Sequence, residues 1–235
     1  MLQKDLSLAN RLISALPAQE RGLFLEHSEL VEVKHHAVLI KAGQVADHAY
    51  FPVDSFVSVV LAVDDAPDIA VGLVGNEGMF NISLVLGVAT ASLTGLVQGA
   101  GRSFRIHRTA LQHRLTEGAF LRDILNRYVD VCECQLAQQA ACMNYHTVEQ
   151  RLARWLLMTR DRAHSRELFL THEVLALMLG VRRESVSQAA NAFQKSGLIS
   201  YSRGYVMLLD EPGLATAACK CYQADLMIHE RTLAL

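Results

Sequence analysis

Arg182, Arg183, Glu184, Ser185 and Gln188 crowd the opening of a segment whose other positions are apolar at helical spacing. On the first turns of a helix, such side chains can reach base edges in a DNA major groove. An Arg fork suits guanine O6 and N7, a Gln amide suits adenine, and a Glu carboxylate can accept from cytosine N4. Thr171 and Arg203 join the same candidate DNA-binding set. Thr171 can cap the preceding helix. Arg203 lies in Ser202-Arg203-Gly204, the basic tip of a hairpin suited to the phosphate backbone.

These residues need elements to position them, and the stretch from Thr171 to Leu209 supplies them. Val174, Leu175, Met178 and Leu179 form one helical face, and Gly180 is placed to end that helix in a left-handed conformation. Val186, Ala189, Ala190 and Phe193 turn a second helix inward. The runs Leu198–Tyr201 and Tyr205–Leu209 then predict a hairpin. Helix, tight turn, helix and wing is the pattern that sets a recognition helix in the major groove. The alternative is an ordinary helical hairpin with a solvated Arg-Arg-Glu face. Upstream, Thr147 to Gln150 fits a capping box opening a helix whose buried side is Val148, Leu152, Trp155 and Leu156. A hinge is expected near Asn144–His146.

At 235 residues, about half of them hydrophobic, the chain is long enough for two domains. Residues 6–16 (LSLANRLISAL) predict a short amphipathic helix stopped near Pro17. A second follows, with Leu23, Phe24 and Leu30. From Val31 to about Arg108, short apolar runs alternate with turn signals, which predicts an antiparallel barrel or roll. Pro52 inside one run points to an edge or bulge. Helical texture returns at Thr109. Leu121, Leu125, Tyr128, Cys132, Gln135, Gln139 and Cys142 alternate at spacings of four and three, a heptad seam. A helix this long suggests a two-stranded coiled coil, hence a homodimer with Leu121, Leu125, Tyr128, Cys132, Gln135 and Gln139 at its interface. The alternative is a core helix packed on the roll of its own chain. The expected fold class is α+β: an N-terminal antiparallel β-roll over 1–108, a dimerisation helix over 109–143, and a C-terminal winged helix-turn-helix over 144–235.

Composition narrows the chemistry. No run of 18 apolar residues occurs and the first residues lack a signal-peptide pattern, so a cytoplasmic protein with no membrane partner is expected. Net charge is −2. From Tyr145 onward about 11 basic residues face about 9 acidic ones, against about 11 and 15 before it. That modest local excess suits a specific DNA reader. Five cysteines without a secretory leader read as reduced thiols. Cys132 and Cys142 on the seam could meet their own copies across a dimer, although inert buried thiols are the stronger reading. Cys219-x-Cys221 lacks the usual zinc spacing and has no second pair nearby in sequence, so no metal is expected. Asp64, Asp65 and Asp68 read as a solvated acidic turn. No G-x-S-x-G, H-E-x-x-H or phosphate-binding glycine loop appears, so the chain is not expected to be an enzyme.

Taken together, the chain resembles the Crp–Fnr superfamily of bacterial transcription regulators. The resemblance is strongest over LTHEVLALMLGVRRESVSQAANAFQKSGLISYSRG, and extends to TVEQRLARWLL and, in the roll, KAGQVADHAYFPVDS. It implies a cyclic-nucleotide-binding-like roll, a dimer helix and a winged helix-turn-helix. Base-reading positions, usually Arg, Glu and Arg, fall on Arg183, Glu184 and Gln188, and Arg182 stands where the family commonly has a Ser cap. The cyclic-nucleotide cassette, G-E-L followed by R-[ST]-A, is degraded in GNEGMFNISLVLGVATASL. Ile82 and Ser83 stand near the expected Glu, Ala89 to Ser92 hold no Arg, and Arg102-Ser103 lies one strand too late. Cyclic AMP is therefore not the expected effector, and the cofactor is unknown. With no cysteine before Cys132, an N-terminal iron–sulfur site is not expected. His35, His36 and His48 are the candidates a haem-binding branch would use, but surface or turn histidines are the stronger reading. The implied partners are a palindromic double-stranded operator, a second copy of the chain, RNA polymerase, and an apolar small-molecule effector between roll and helix. The competing expectation is an effector sensor whose winged helix contacts a protein.

Overall fold

The computed structural model describes residues 6, 8–64 and 68–233. Ser7 of the first expected helix and Asp65 of the acidic turn lie outside these residues. The first helix that lies wholly among the described residues, α1 (Arg11–Ser14), is shorter than the expected 6–16. Asn10 sets its start: the side-chain oxygen accepts from the Leu12 and Ile13 N–H groups, while its amide donates to the Pro52 and Gly78 carbonyls. One buried residue thus caps a helix and anchors it to the roll. Helix α2 (Ala18–Glu26) follows, with Phe24 buried.

Among the described residues, seven strands form the roll: β1 (Ser28–Val33), β2 (Val38–Ile40), β3 (His48–Pro52), β4 (Phe56–Leu61), β5 (Ile69–Val74), β6 (Thr94–Gly99) and β7 (Gly101–His107). They build two antiparallel sheets, ordered β1-β7-β3 and β2-β6-β4-β5. Pro52 is the last residue of β3, an edge strand, where its missing N–H costs no ladder bond. Phe51 lies opposite Phe104 in register, and both are buried with Ala49 and Ile106 between the sheets and the helices.

The helical stretch expected over 109–143 is broken. Helix α3 (Arg108–Glu117) ends at Gly118, whose extended backbone turns the chain into α4 (Ala119–Tyr145). The residues of the expected dimer seam find partners within the chain. Leu121, Leu125 and Tyr128 are buried in the roll's own core, and Cys132 packs against it. The Tyr128 ring lies so close to Gly78 that a β-carbon there would collide with it. Gln135 pairs with His229 and Gln139 with Arg154. The core-helix alternative describes this face: its apolar pattern is satisfied within one chain, each buried Leu contributing about 2 kcal/mol. Cys142 correspondingly meets Cys219 of the same chain rather than its own copy.

Helix α5 (Val148–Ala163) opens with the expected capping box: the Thr147 N–H donates to Gln150 Oε1 at 3.1 Å and the Gln150 N–H to Thr147 Oγ1 at 3.4 Å. After β8 (Glu167–Phe169) come α6 (His172–Leu179), α7 (Arg183–Lys195), β9 (Ile199–Ser202) and β10 (Tyr205–Leu208). The three strands form a sheet ordered β8-β10-β9, adding one strand to the expected hairpin. Helices α8 (Glu211–Ala217) and α9 (Cys221–Leu233) close the chain, α9 lying along α4. This winged head is docked on the roll. Phe56, Ala70 and Leu73 share its hydrophobic core, Ile69 abuts Gly180, and Arg162 pairs with Glu77 at 2.7 Å.

Candidate nucleic-acid interface

The turn between α6 and α7 positions the site. Thr171 Oγ1 accepts from the Val174 N–H at 3.3 Å, starting α6. Gly180 ends it at φ 60°, ψ 43°, a conformation a β-carbon would penalise. The Arg151 guanidinium, reaching from α5, donates to the Leu179 carbonyl and satisfies one of the open groups at that helix end. Leu175, Met178, Leu179, Val186, Ala189, Ala190 and Phe193 are buried as the spacing predicts, while Val174 is half-buried.

Packing those residues inward leaves Arg182, Arg183, Glu184 and Gln188 exposed and Ser185 half-exposed, on the first two turns of α7. Arg182 occupies the N-cap without making a side-chain cap bond. Such a helix end is favourable ground for a phosphate oxygen. The Arg183 side chain is 62% exposed and its Nε forms an ion pair with Glu173 Oε1 at 2.8 Å. At Arg203 and Gly204 both φ values are positive, 50° and 86°, the geometry of a tight two-residue hairpin turn. Arg203 is exposed at that tip.

Contacts across the helix pair add residues the spacing did not reveal. His172 stacks on Tyr201 with centroids 4.5 Å apart, and its Nδ1 is 2.9 Å from Ser187 Oγ. Burial pushes the His172 imidazole below its ordinary range, with Arg183 acting in the same direction. The start of α6, the start of α7 and β9 therefore form one connected surface. Alternation and spacing assign residues to faces within an element. They carry no signal for contacts such as Glu173 with Arg183, which depend on how two helices cross.

A second feature lies between the roll and α4. A cavity of about 270 Å³ is lined by Val59, Val71, Leu73, Val74, Met79, Phe80, Ile82, Ser83, Leu86, Ser92 and Leu93 of the roll, and by Tyr128, Cys132, Gln135 and Leu136 of α4. Among the described residues its lining holds no charged side chain. Ile82, Ser83 and Ser92 stand on the wall, where the sequence places the degraded cassette. Arg102 is elsewhere, paired with Asp54. The His35 and His36 rings lie close together, tilted by 42°, in the β1–β2 turn and His48 lies on β3 beside His107, and none of the three lines the cavity.

Residues 150–217 match the family described as "Crp-like helix-turn-helix domain". A putative regulator of the Crp/Fnr family from Eubacterium rectale is similar over 88% of this chain and 97% of its own, at 18% identity and a TM-score of 0.70. The chain has the Crp/Fnr fold. A CRP-family transcriptional regulator from Thermus thermophilus (20% identity, 80% of this chain, 96% of that one, TM-score 0.68) shares it. So does the c-di-GMP-responsive global regulator CLP of Xanthomonas campestris (18%, 83%, 100%, TM-score 0.67). Comparison with curated protein sequences gives no significant match. The Crp-like domain starts three residues inside the capping box of α5 and ends with α8, so it contains the whole exposed surface just described. No helix is long and apolar enough to cross a membrane among the described residues.

Proposed function

We propose that this chain is a homodimeric transcription regulator that reads a palindromic operator through α7 and answers to a neutral, largely apolar effector in the roll cavity. The observation that carries the proposal is the outward-facing start of α7, with Arg183, Glu184 and Gln188 free of the core and Arg203 on the neighbouring wing. Two such heads on one face of a duplex would place α7 in successive major grooves, about 34 Å apart.

The uncharged cavity favours a neutral ligand. A cyclic mononucleotide, or the cyclic di-GMP to which the Xanthomonas regulator responds, would bring phosphate without finding a cation. Strand β5 offers a route from ligand to head. Val71, Leu73 and Val74 line the cavity, while Ile69, Ala70 and Leu73 pack on the head. A ligand that moves β5 binds the docked and undocked arrangements with different affinity, which an effector must do to shift their balance.

Titration of the full chain with a palindromic duplex at several salt concentrations tests the reading. Affinity should fall steeply with salt. Arg183→Ala should lose about 1–3 kcal/mol on the best operator and relax the preference at one base. Equal affinity for all operator variants, with the fold intact, would reject sequence reading by α7 and favour a protein contact for this surface.

A further inference from the structure

Three parts of the chain converge behind the Crp-like domain: the last turn of α4, the connection from α8, and the start of α9. Cys142 and His146 lie four residues apart on and just past that last turn, on one face. Cys219 and Cys221 approach them across the turn at Lys220. Cys142 Sγ is 3.6 Å from Cys219 Sγ, and Cys221 Sγ is 3.5 Å from His146 Nδ1. All four ligand atoms fall within 4.8 Å of one another. The second pair that Cys219-x-Cys221 lacks nearby in sequence is supplied by the fold, from the end of a helix some 75 residues earlier in the chain.

The spacing identifies what fits between them. Around a tetrahedral Zn²⁺, bonds of about 2.3 Å to sulfur and about 2.0–2.1 Å to nitrogen put neighbouring sulfurs about 3.8 Å apart, and sulfur and nitrogen about 3.6 Å apart. The two short distances observed match those edges. A Cys142–Cys219 disulfide would explain neither Cys221 nor His146, and would need the sulfurs near 2.05 Å. An iron–sulfur cluster holds several atoms between its thiolates, so its ligands stand farther apart than those around one ion.

We propose that Cys142, His146, Cys219 and Cys221 form a closed structural site for one Zn²⁺. The three cysteines are 1%, 4% and 3% exposed, and all four coordination positions come from protein, as in structural rather than catalytic zinc sites. Binding exchanges three thiol protons for the ion and leaves the site with one net negative charge. The buried Arg154 guanidinium, held by Asp225 and Gln139, faces Cys142 and offsets that charge. Gln138 Nε2 donates to Cys221 Sγ at 2.9 Å, the kind of outer hydrogen bond that orients a ligand. The ion ties α9 to the end of α4 immediately before the joint at Thr147, so it fixes the base on which the head is mounted.

Full-length chain purified under reducing conditions without chelator should carry one zinc per chain. Cobalt in its place should give the thiolate charge-transfer and tetrahedral visible bands. Chelation should expose three additional thiols to alkylation, mapped by mass spectrometry to Cys142, Cys219 and Cys221. Cys219→Ser and Cys221→Ser should bind zinc at least about tenfold more weakly and Gln138→Ala about tenfold more weakly, while Cys134→Ser should bind normally. Should the serine variants fail to fold, the cobalt spectrum and thiol protection of the unaltered chain still decide. Metal-free chain with its thiols reduced and no zinc uptake, an octahedral cobalt spectrum, a Cys142–Cys219 disulfide in place of the ion, or iron with acid-labile sulfide would each overturn the assignment.

Discussion

Gln188 and Glu173 are the residues at which the proposed DNA-reading surface departs most from a plain Arg-rich one. Gln188 is exposed on the second turn of α7, where its amide can pair with adenine N6 and N7. Gln188→Arg should therefore move the preferred base at one operator position from adenine to guanine, by about tenfold, while leaving other positions unchanged. A selection from randomised half-sites reads this directly, and an unaltered preference would remove Gln188 from the reading set. Glu173 acts through Arg183. Both side chains are largely exposed, so their 2.8 Å pair adds little to stability. On the proposed function its effect is on binding: the carboxylate holds the Arg fork and would add a negative charge beside the duplex. Glu173→Gln should tighten binding severalfold to operator and unrelated DNA alike, with the same base preference. Tightening confined to the operator would show instead that Glu173 takes part in specificity.

At the scale of elements, α4 separates what a pattern shows from what it hides. Its heptad was legible, and so were the capping box, the turn at Gly180 and the inward faces of α6 and α7, because each depends on neighbours within a few residues. The partner of the seam was not legible. An apolar stripe reads alike whether it faces a second copy, a roll or α9, and here the stripe is filled from within the chain. The zinc-site ligands were hidden for the same reason, since Cys142 and Cys219 are joined only by the fold. One residue round from the filled seam, by about 100°, runs a second stripe: Asn126, Val129, Glu133, Leu136 and Ala140. It keeps the alternating three and four spacing, and Leu136 is 44% exposed. A dimer formed along α4 would use this stripe. Leu136→Glu should shift sedimentation from dimer to monomer, and weaken operator binding through lost pairing of the heads. Leu136 also touches the cavity, so Ala140→Glu is the companion variant. If both remain dimeric, the contact lies off α4.

The docking of α9 against α4 and the head gives the whole molecule a distinct response to pH. His229 on α9 is the group involved. With the Gln135 amide donating to its Nε2 at 3.0 Å, the ring proton sits on Nδ1, which is buried without a partner among the described residues. Burial pushes the imidazole down to about 4; Glu77 pulls it upward, while Arg162 and Arg11 add to the lowering. In the unfolded chain the same ring titrates near 6.5. Between these values the unfolded chain binds the extra proton, so His229 contributes stability above about pH 6.5 and loses it progressively as pH falls toward 4. The full swing is about 3 kcal/mol. Glu77 behaves differently. Burial, the largest single effect, would raise its carboxyl, but Arg162, His229 and the backbone N–H groups of Gly75 and Glu77 together hold it below the ordinary value, so its contribution is present above about pH 4.5 and is lost only on further acidification. The two groups thus act in successive windows. Urea unfolding of the full chain from about pH 7.5 down to about pH 5 should show the midpoint falling, and His229→Gln should flatten that fall. The less buried His35, His48 and His172 are also lowered, and they persist in the variant, so the difference between the two curves isolates His229. An equally steep fall in His229→Gln would place the response elsewhere. Because α9 also carries Cys221 and Asp225, loosening it by acid should release the base of the head before the roll itself unfolds.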